Sequence, residues 1–248
     1  MMPTFAELGI PFPLYEGPTN EARGYAERST CLLCGGTNRH CIQLSIGGAV
    51  MLPCPACGVE NGLAASDRKD GPCRSCRTVI PFPKSKDKDI FICYSCLRAG
   101  KGAITKDTEL GMVSWDQAFQ GITHGVPGLK TTEFEIVPID TEEEWFGARM
   151  PGEHLFELLR TPSFVTWQGE RWLFCCKRPM TYVGEWASFM ESPHRPHDAK
   201  AFLNQIMEED DPTRASVWES VSGGSGGVCV YLFRCVSCKR FRSSWDMD

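Results

Sequence analysis

Ten of the fourteen cysteines in this 248-residue chain occur as Cys-x-x-Cys pairs: Cys31/Cys34, Cys54/Cys57, Cys73/Cys76, Cys93/Cys96 and Cys235/Cys238. A Cys-x-x-Cys turn aims two sulfurs at one ion, and two such turns supply the four thiolates that tetrahedral zinc takes. The first four pairs are separated by 19, 15 and 16 residues, in or near the ~15–20 spacing between the halves of one zinc site. Disulfides and dithiol redox chemistry use the same residues, so the compartment decides between them. The start, Met1-Met2-Pro3-Thr4-Phe5-Ala6-Glu7, has neither the basic opening nor the apolar run of a secretion signal. No stretch reaches the ~18 apolar residues of a membrane span. A cytoplasmic chain with reduced thiols is therefore expected, and clustered reduced thiols bind metal. Redox use of a Cys-x-x-Cys pair needs a thioredoxin-like βαβ setting, which the sequence lacks.

Spacing alone leaves the pairing of halves open. An internal repeat favours one answer: Cys54-Pro55-Ala56-Cys57 leads to Gly62-Leu63-Ala64-Ala65 as Cys93-Tyr94-Ser95-Cys96 leads to Gly100-Lys101-Gly102-Ala103. The repeat implies two tandem ribbon-like units. The first is expected to join Cys31, Cys34, Cys54 and Cys57, and the second Cys73, Cys76, Cys93 and Cys96. Four protein ligands leave a zinc ion no open position for water or substrate, so two structural ions are expected. A catalytic constellation is absent. Ser222 to Gly227 is Gly-rich but lacks the Gly-Lys-Ser/Thr ending of a phosphate loop, and Glu153-His154 is not part of a His-Glu-x-x-His helix. The chain is not expected to be an enzyme.

The positioning elements are small. Thr141 to Leu159 reads as one or two helices interrupted at Pro151-Gly152, and Asp198 to Met207 as a helix with Asp198 at its N-cap. Phe164 to Trp167, Arg171 to Cys176, Thr181 to Val183 and Val228 to Phe233 read as strands. The fold class is α+β: two tandem zinc-ribbon-like β modules, residues 1–66 and 67–135, and then a mixed α/β domain over 136–248. Cys235 and Cys238 supply half of a third zinc site. Cys176 is the first candidate to complete it, Cys175 the second, and Cys229 stays open. Adjacent residues on a strand point to opposite faces, so using both Cys175 and Cys176 requires a turn there. Cys41 is left over as a small buried hydrophobe. Trp115 and Trp245 are candidate exposed anchors.

The formal net charge of -5 is unevenly spread. From Asp67 to Lys101 nine Lys or Arg face four Asp or Glu, while acidic runs lie at Asp140 to Glu144 and Glu208 to Asp211. This is not the pattern of a uniformly basic nucleic-acid binder. The basic segment alone, with Arg68, Lys69, Arg74, Arg77, Lys84, Lys86 and Lys88, keeps a zinc-ribbon nucleic-acid-binding or regulatory protein as the alternative reading.

The stretch Arg160-Thr161-Pro162-Ser163-Phe164-Val165-Thr166-Trp167-Gln168-Gly169-Glu170-Arg171-Trp172-Leu173, with Tyr231-Leu232-Phe233-Arg234-Cys235-Val236-Ser237-Cys238 and the terminal Trp245-Asp246-Met247-Asp248, resembles the CbrC family of bacterial proteins. The resemblance runs from about Cys73 onward. The chain departs from the family in its extra N-terminal cysteine unit, and in offering Cys175-Cys176 and Met180 where the family has His-Cys and a later Cys. The family implies tolerance to nuclease-type colicins, hence an immunity protein that neutralises an antibacterial toxin. The implied partner is a cognate protein toxin of the nuclease class, with neither nucleic acid nor membrane as primary partner. An acidic inhibitor suits the basic DNA-binding surface of such a toxin, and the contacts are expected at Glu142 to Glu144 and Glu208 to Asp211.

Overall fold

The computed structural model describes residues 2–44, 47–85, 88–223 and 227–248. Lys86 of the basic segment and residues 224–226 of the Gly-rich loop lie outside them. The fold is mixed α/β, with small antiparallel sheets, few helices and ribbon-like cysteine modules.

Four of the Cys-x-x-Cys pairs sit at the tips of antiparallel hairpins. Cys31 comes after the strand Tyr25–Ser29 and precedes Arg39–Leu44, with Ser29 opposite Arg39. Cys54 lies between Ala49–Pro53 and Glu60–Ala64, and Cys73 between the two-residue strands Gly71–Pro72 and Val79–Ile80. Cys235 lies between Val228–Arg234 and Phe241–Met247, which pair through seven residues without a shift. Cys93 instead ends the strand Ile90–Cys93 and N-caps the helix Tyr94–Arg98.

Two ladders tie the chain on either side of residues 66 and 67. Ile90–Cys93 pairs with Arg39–Leu44, placing Cys93 opposite Cys41, and Gly102–Ala103 pairs with Ala49 and Val50. The main hydrophobic core runs from Phe5 to Cys235. The N-terminal segment takes part directly: Leu14 O accepts from Tyr182 N at 2.9 Å, and Glu16 N donates to Tyr182 O at 2.8 Å.

In the C-terminal sheet, Val228–Arg234 is central between Thr181–Glu185 and Phe241–Met247. Its residues alternate as a strand's must. Tyr231 and Phe233 face the main core, while Val230 and Leu232 join a second cluster with Trp186, Phe189, Leu203 and Ile206. That second cluster is covered by the helices Trp186–Glu191, Ala199–Ile206 and Asp211–Gly223. Asp198 is the N-cap expected, its Oδ1 accepting from Ala201 N at 2.9 Å.

The region expected as helix from Thr141 divides. Trp145–Arg149 is a strand paired with Glu135–Asp140, and only Gly152–Leu159 is helical. The apolar pair Trp145-Phe146 serves both periods, and the cross-strand partner decides. Phe164 and Trp172 make isolated bridges, to Ala22 and Thr108, in place of the expected strands; the strand there is Phe174–Cys175. Trp115 and Trp245 are half-buried, Trp245 Nε1 donating to Glu209 Oε1, and the exposed tryptophan is Trp167.

A charged group lies inside the main core. Lys106 is 0% exposed, donates from Nζ to Ser163 Oγ at 2.7 Å and sits 3.7 Å from Glu170 Oε2, an ion pair too long for a hydrogen bond. Burial lowers its pKa from 10.5 to about 8, with Glu170 opposing the shift. Below pH 8 the folded state therefore carries the cost of a buried charge. Between pH 8 and 10.5 it holds fewer protons than the unfolded chain, so this group's contribution to stability rises with pH. Urea unfolding of the parent and K106M at pH 7.5 and 10.5 is expected to show the parent gaining about 3 kcal/mol relative to the variant across that window. Parallel pH profiles would refute the buried charge.

Candidate metal centres

The loops at the four hairpin tips share one backbone design. The N–H of the first cysteine donates to the carbonyl five residues on, and the N–H of the residue after the second cysteine donates back to the carbonyl of the first. For Cys31 these bonds are 2.9 Å to Gly36 O and 2.9 Å from Gly35 N; for Cys54 both are 2.8 Å, with Val59 and Gly58. Cys73 bonds to Thr78 O at 2.8 Å and accepts from Arg77 N at 3.0 Å, and Cys235 uses Arg240 O at 2.8 Å and Lys239 N at 3.0 Å. This closure puts the residue after the second cysteine in the left-handed region. Glycine supplies it at Gly35 and Gly58 (φ 67° and 74°), whereas Arg77 and Lys239 adopt φ of 64° and 63° with a side chain present. Amides inside the loops also point at sulfur, as Ala56 N does to Cys54 Sγ and Ser75 N to Cys73 Sγ, both at 3.4 Å.

Twelve cysteines meet in three groups of four, the sulfurs of each lying within 4.8 Å of one another. They are Cys31, Cys34, Cys93 and Cys96; Cys54, Cys57, Cys73 and Cys76; and Cys175, Cys176, Cys235 and Cys238. Separations within the groups include 3.8 Å for Cys34–Cys93, 3.5 Å for Cys54–Cys76, 3.6 Å for Cys57–Cys73 and 3.6 Å for Cys175–Cys238. A disulfide needs ~2.05 Å. Four sulfurs at ~2.3 Å from a tetrahedral zinc lie ~3.8 Å apart, so these are the edges of a zinc tetrahedron. All fourteen cysteines are free. Each group can hold one zinc ion.

All twelve expected ligands are used, but the first two sites are nested, not consecutive. Cys31 and Cys34 join Cys93 and Cys96, while Cys54 and Cys57 join Cys73 and Cys76 inside that loop. The repeat that suggested the other pairing is limited to short motifs. Cys93 starts a helix and belongs to the sheet of Arg39–Leu44, and Leu32 N donates to Phe91 O at 2.9 Å, bringing the Cys31 loop beside that strand. The inner site is a ribbon of two hairpin tips with a 15-residue interval, while its outer partner spans 58 residues, beyond any local spacing rule.

In the third site both Cys175 and Cys176 take part, through the turn that their adjacency requires. Cys176 and Lys177 have φ of 54° and 60° between the paired strands Phe174–Cys175 and Arg178–Pro179. A two-residue loop with positive φ at both positions is a tight type I′ hairpin turn, one that favours Asn-Gly. Cys229 stays outside the group, as does Cys41, buried opposite Cys93.

Charge explains why these sulfurs need a cation. In each group at least one thiol is pushed down: Cys73 to about 6, chiefly by the N–H of Cys76, with Cys76 also lowered, chiefly by the Thr78 hydroxyl, and Cys238 to about 7, chiefly by the N–H of Arg240. Cys31 falls to about 7 because, against the effect of burial, the N–H groups of Cys93, Cys34 and Leu33 favour its thiolate. Companions move the other way. Cys57 is pushed up to about 12, the N–H of Val59 being outweighed by Cys76, burial, Cys73 and Cys54. Burial and neighbouring thiols raise Cys175 as well. Local hydrogen-bond donors accommodate one or two negative charges in each group, and four thiolates together require the ion.

The expected surface contacts separate clearly. Glu142, Glu143 and Glu144 are exposed on the loop joining Glu135–Asp140 to Trp145–Arg149, where Asp140 Oδ1 accepts from Glu142 N at 2.9 Å and Glu143 N at 3.1 Å. The other acidic run is engaged within the fold: Glu208 with Arg242, Glu209 with Trp245, Asp210 with Thr213 N and Asp211 with Arg214. In the basic segment Arg74 lies 4.0 Å over the Phe119 ring and Arg68 donates to Lys88 O. Among the described residues no helix is long and apolar enough to cross a membrane.

Hairpin-borne tetrathiolate sites on an α+β body define a zinc-binding protein of ribbon-like modules. Residues 59–247 match the uncharacterised protein family UPF0167, and the chain belongs to that family. No solved structure matches the chain. Of the three sites only the third lies wholly within the matched residues, since Cys31, Cys34, Cys54 and Cys57 precede them.

Elemental analysis of the purified chain is expected to give three zinc ions. Nested pairing predicts that Cys31→Ser with Cys93→Ser removes one ion, and Cys31→Ser with Cys54→Ser removes two; consecutive pairing predicts the reverse. At the third site, Lys177→Gly relieves the left-handed conformation and is expected to raise unfolding stability by about 1 kcal/mol.

Proposed function

We propose that this chain is a zinc-stabilised immunity protein of the bacterial cytoplasm, related to the CbrC proteins, that neutralises an antibacterial nuclease by covering its DNA-binding or active site. The observation that carries this reading is the acidic hairpin. Between Thr131 and Ala148 there are six Asp or Glu and no Lys or Arg. Glu135–Asp140 is the edge strand of its sheet, and Glu142 to Glu144 stand exposed at its tip. Such a surface attracts the phosphate-binding face of a nuclease and speeds encounter. Beside the tip, a groove of about 270 Å³ is lined by His124, Ile139, Asp140, Glu143 and Trp145, adding an apolar anchor point to the charge. Neutralisation by occlusion requires no catalytic residue. Zinc sites saturated by cysteine fit a scaffold whose work is done at its surface.

Co-production with the nuclease toxin encoded beside its gene is expected to restore growth and to yield a one-to-one complex. The triple variant E142K/E143K/E144K should weaken that complex at least tenfold and flatten its salt dependence. Absence of both binding and rescue defeats the proposal. Salt-dependent binding of DNA or RNA by the chain alone would favour the zinc-ribbon nucleic-acid reading instead.

A further inference from the structure

A second recessed surface lies beside the third metal centre, lined in part by Thr131, Glu133 and Phe134 at the start of the acidic stretch but by none of its exposed tip, Glu142 to Glu144. Its cavity, about 460 Å³, is bounded by the segment Val126 to Phe134, by Arg171 to Cys175 and by Arg240 to Arg242. Leu110, Leu129, Phe134 and Phe174 give it an apolar wall, with Phe134 and Phe174 packed edge to face at 5.7 Å. A smaller cavity of about 180 Å³ shares Glu109, Arg171, Glu208 and Arg242 with it.

The charges in this lining differ in whether they are already answered. Arg242 binds Glu109 through two bonds of 2.8 and 2.9 Å, and Glu208 through two of 2.8 Å, and also donates to Phe174 O at 2.6 Å. Glu109 further accepts from Phe174 N at 2.7 Å. Both wall carboxylates are thus committed to a fixed internal network. Arg240 reaches Glu208 only at 3.6 Å and is mostly exposed, while Arg171 and Lys130 make no hydrogen bond to a described residue. Glu208 holds Arg242 by hydrogen bonds and answers Arg240 and Arg171 only through the longer-range field, and among the described lining residues Glu133 is the carboxylate whose side chain makes no hydrogen bond. The lining thus carries four cations, Lys130, Arg171, Arg240 and Arg242, against three carboxylates, Glu109, Glu133 and Glu208, a small positive excess on a chain of net charge -5.

Guanidinium groups match phosphate oxygens through paired N–H donors, with ammonium as a point charge beside them. The volume is that of a pocket for an organic molecule, not for a bare ion. We propose that this cavity binds a nucleoside phosphate, its phosphates held by Lys130, Arg171 and Arg240 and its base lying against Phe134 and Leu129. The proposal does not rest on the exposed tip Glu142 to Glu144 or on toxin neutralisation.

Titration calorimetry of the full zinc-loaded chain with ADP, GDP, CDP and UDP tests it, with pyrophosphate and adenosine as the separate halves. At least one nucleoside diphosphate is expected to bind, with pyrophosphate and adenosine each tenfold or more weaker. Arg171→Glu should weaken that binding at least tenfold while the variant keeps its three zinc ions. Leu129→Ala should weaken the nucleotide but not pyrophosphate. Three results would overturn the proposal: no binding of any of the four at millimolar concentration, unchanged affinity in Arg171→Glu, or pyrophosphate binding as tightly as the nucleotide.

Discussion

Four thiolates gathered within 4.8 Å of one another, with pairs as near as 3.5–3.8 Å, are an arrangement that only a cation makes stable, and most of the N-terminal architecture depends on it. The hairpins that carry the inner site include strands of two residues, Gly71–Pro72 and Val79–Ile80. Isolated hairpins of this kind are marginal in water. Metal binding worth ~10–16 kcal/mol in zinc-finger peptides is comparable with the whole stability of an ordinary domain. The loop hydrogen bonds matter because they aim the sulfurs before the ion arrives. They also set the sequence requirement after each pair, where Gly35 and Gly58 adopt φ > 0 without strain and Arg77 and Lys239 do so at a cost.

The ligands were legible in the sequence because zinc chemistry is local: two cysteines three apart make one half-site wherever they occur. The joining of halves was less legible because it is set by tertiary pairing. Nothing within the Cys93 motif records that Ile90–Cys93 lies against Arg39–Leu44. The available signal was a mismatch, since a glycine or basic residue comes directly after four of the pairs while Leu97 comes after Cys96 and continues a helix. The same limit applies to Trp145 and Phe146, apolar at a spacing that suits helix or strand until Glu135–Asp140 pairs with them. Where local signals were complete, as with Asp198 and the helix it caps or the alternating strand Val228–Arg234, expectation and structure coincide.

The motif that carries the resemblance to the CbrC proteins proves to be largely a description of the core. Phe164 stacks on Tyr182 at 4.6 Å and meets Trp172, Tyr231 and Phe233 at 5.0–5.7 Å. Glu170 faces the buried Lys106, and Asp246 accepts from Trp167 N, Gln168 N and the Tyr231 hydroxyl. These residues specify one packed arrangement. A shared core motif therefore relates folds more securely than it relates activities. Val165, Trp167 and Arg171 are exposed within it, and Arg171, a cation next to buried Trp172, lines both cavities beside the third site.

Nesting gives the two N-terminal sites unequal costs of closure. Bringing Cys34 to Cys93 closes a loop of 58 residues, against 15 between Cys57 and Cys73. Loop entropy alone makes the outer closure about 1 kcal/mol more expensive. The inner ribbon offsets part of this by removing freedom from the chain between, and Gly102–Ala103 then pairs with its first strand through Ala49 and Val50. The outer site accordingly has two supports, its own four sulfurs and a folded ribbon inside its loop. Each N-terminal site also draws half its ligands from the first 58 residues, which lie outside the family match. Those residues are structurally inseparable from the C-terminal half of the chain, since Phe5, Phe12, Leu14 and Tyr15 sit in the same core as Tyr182 and Phe233.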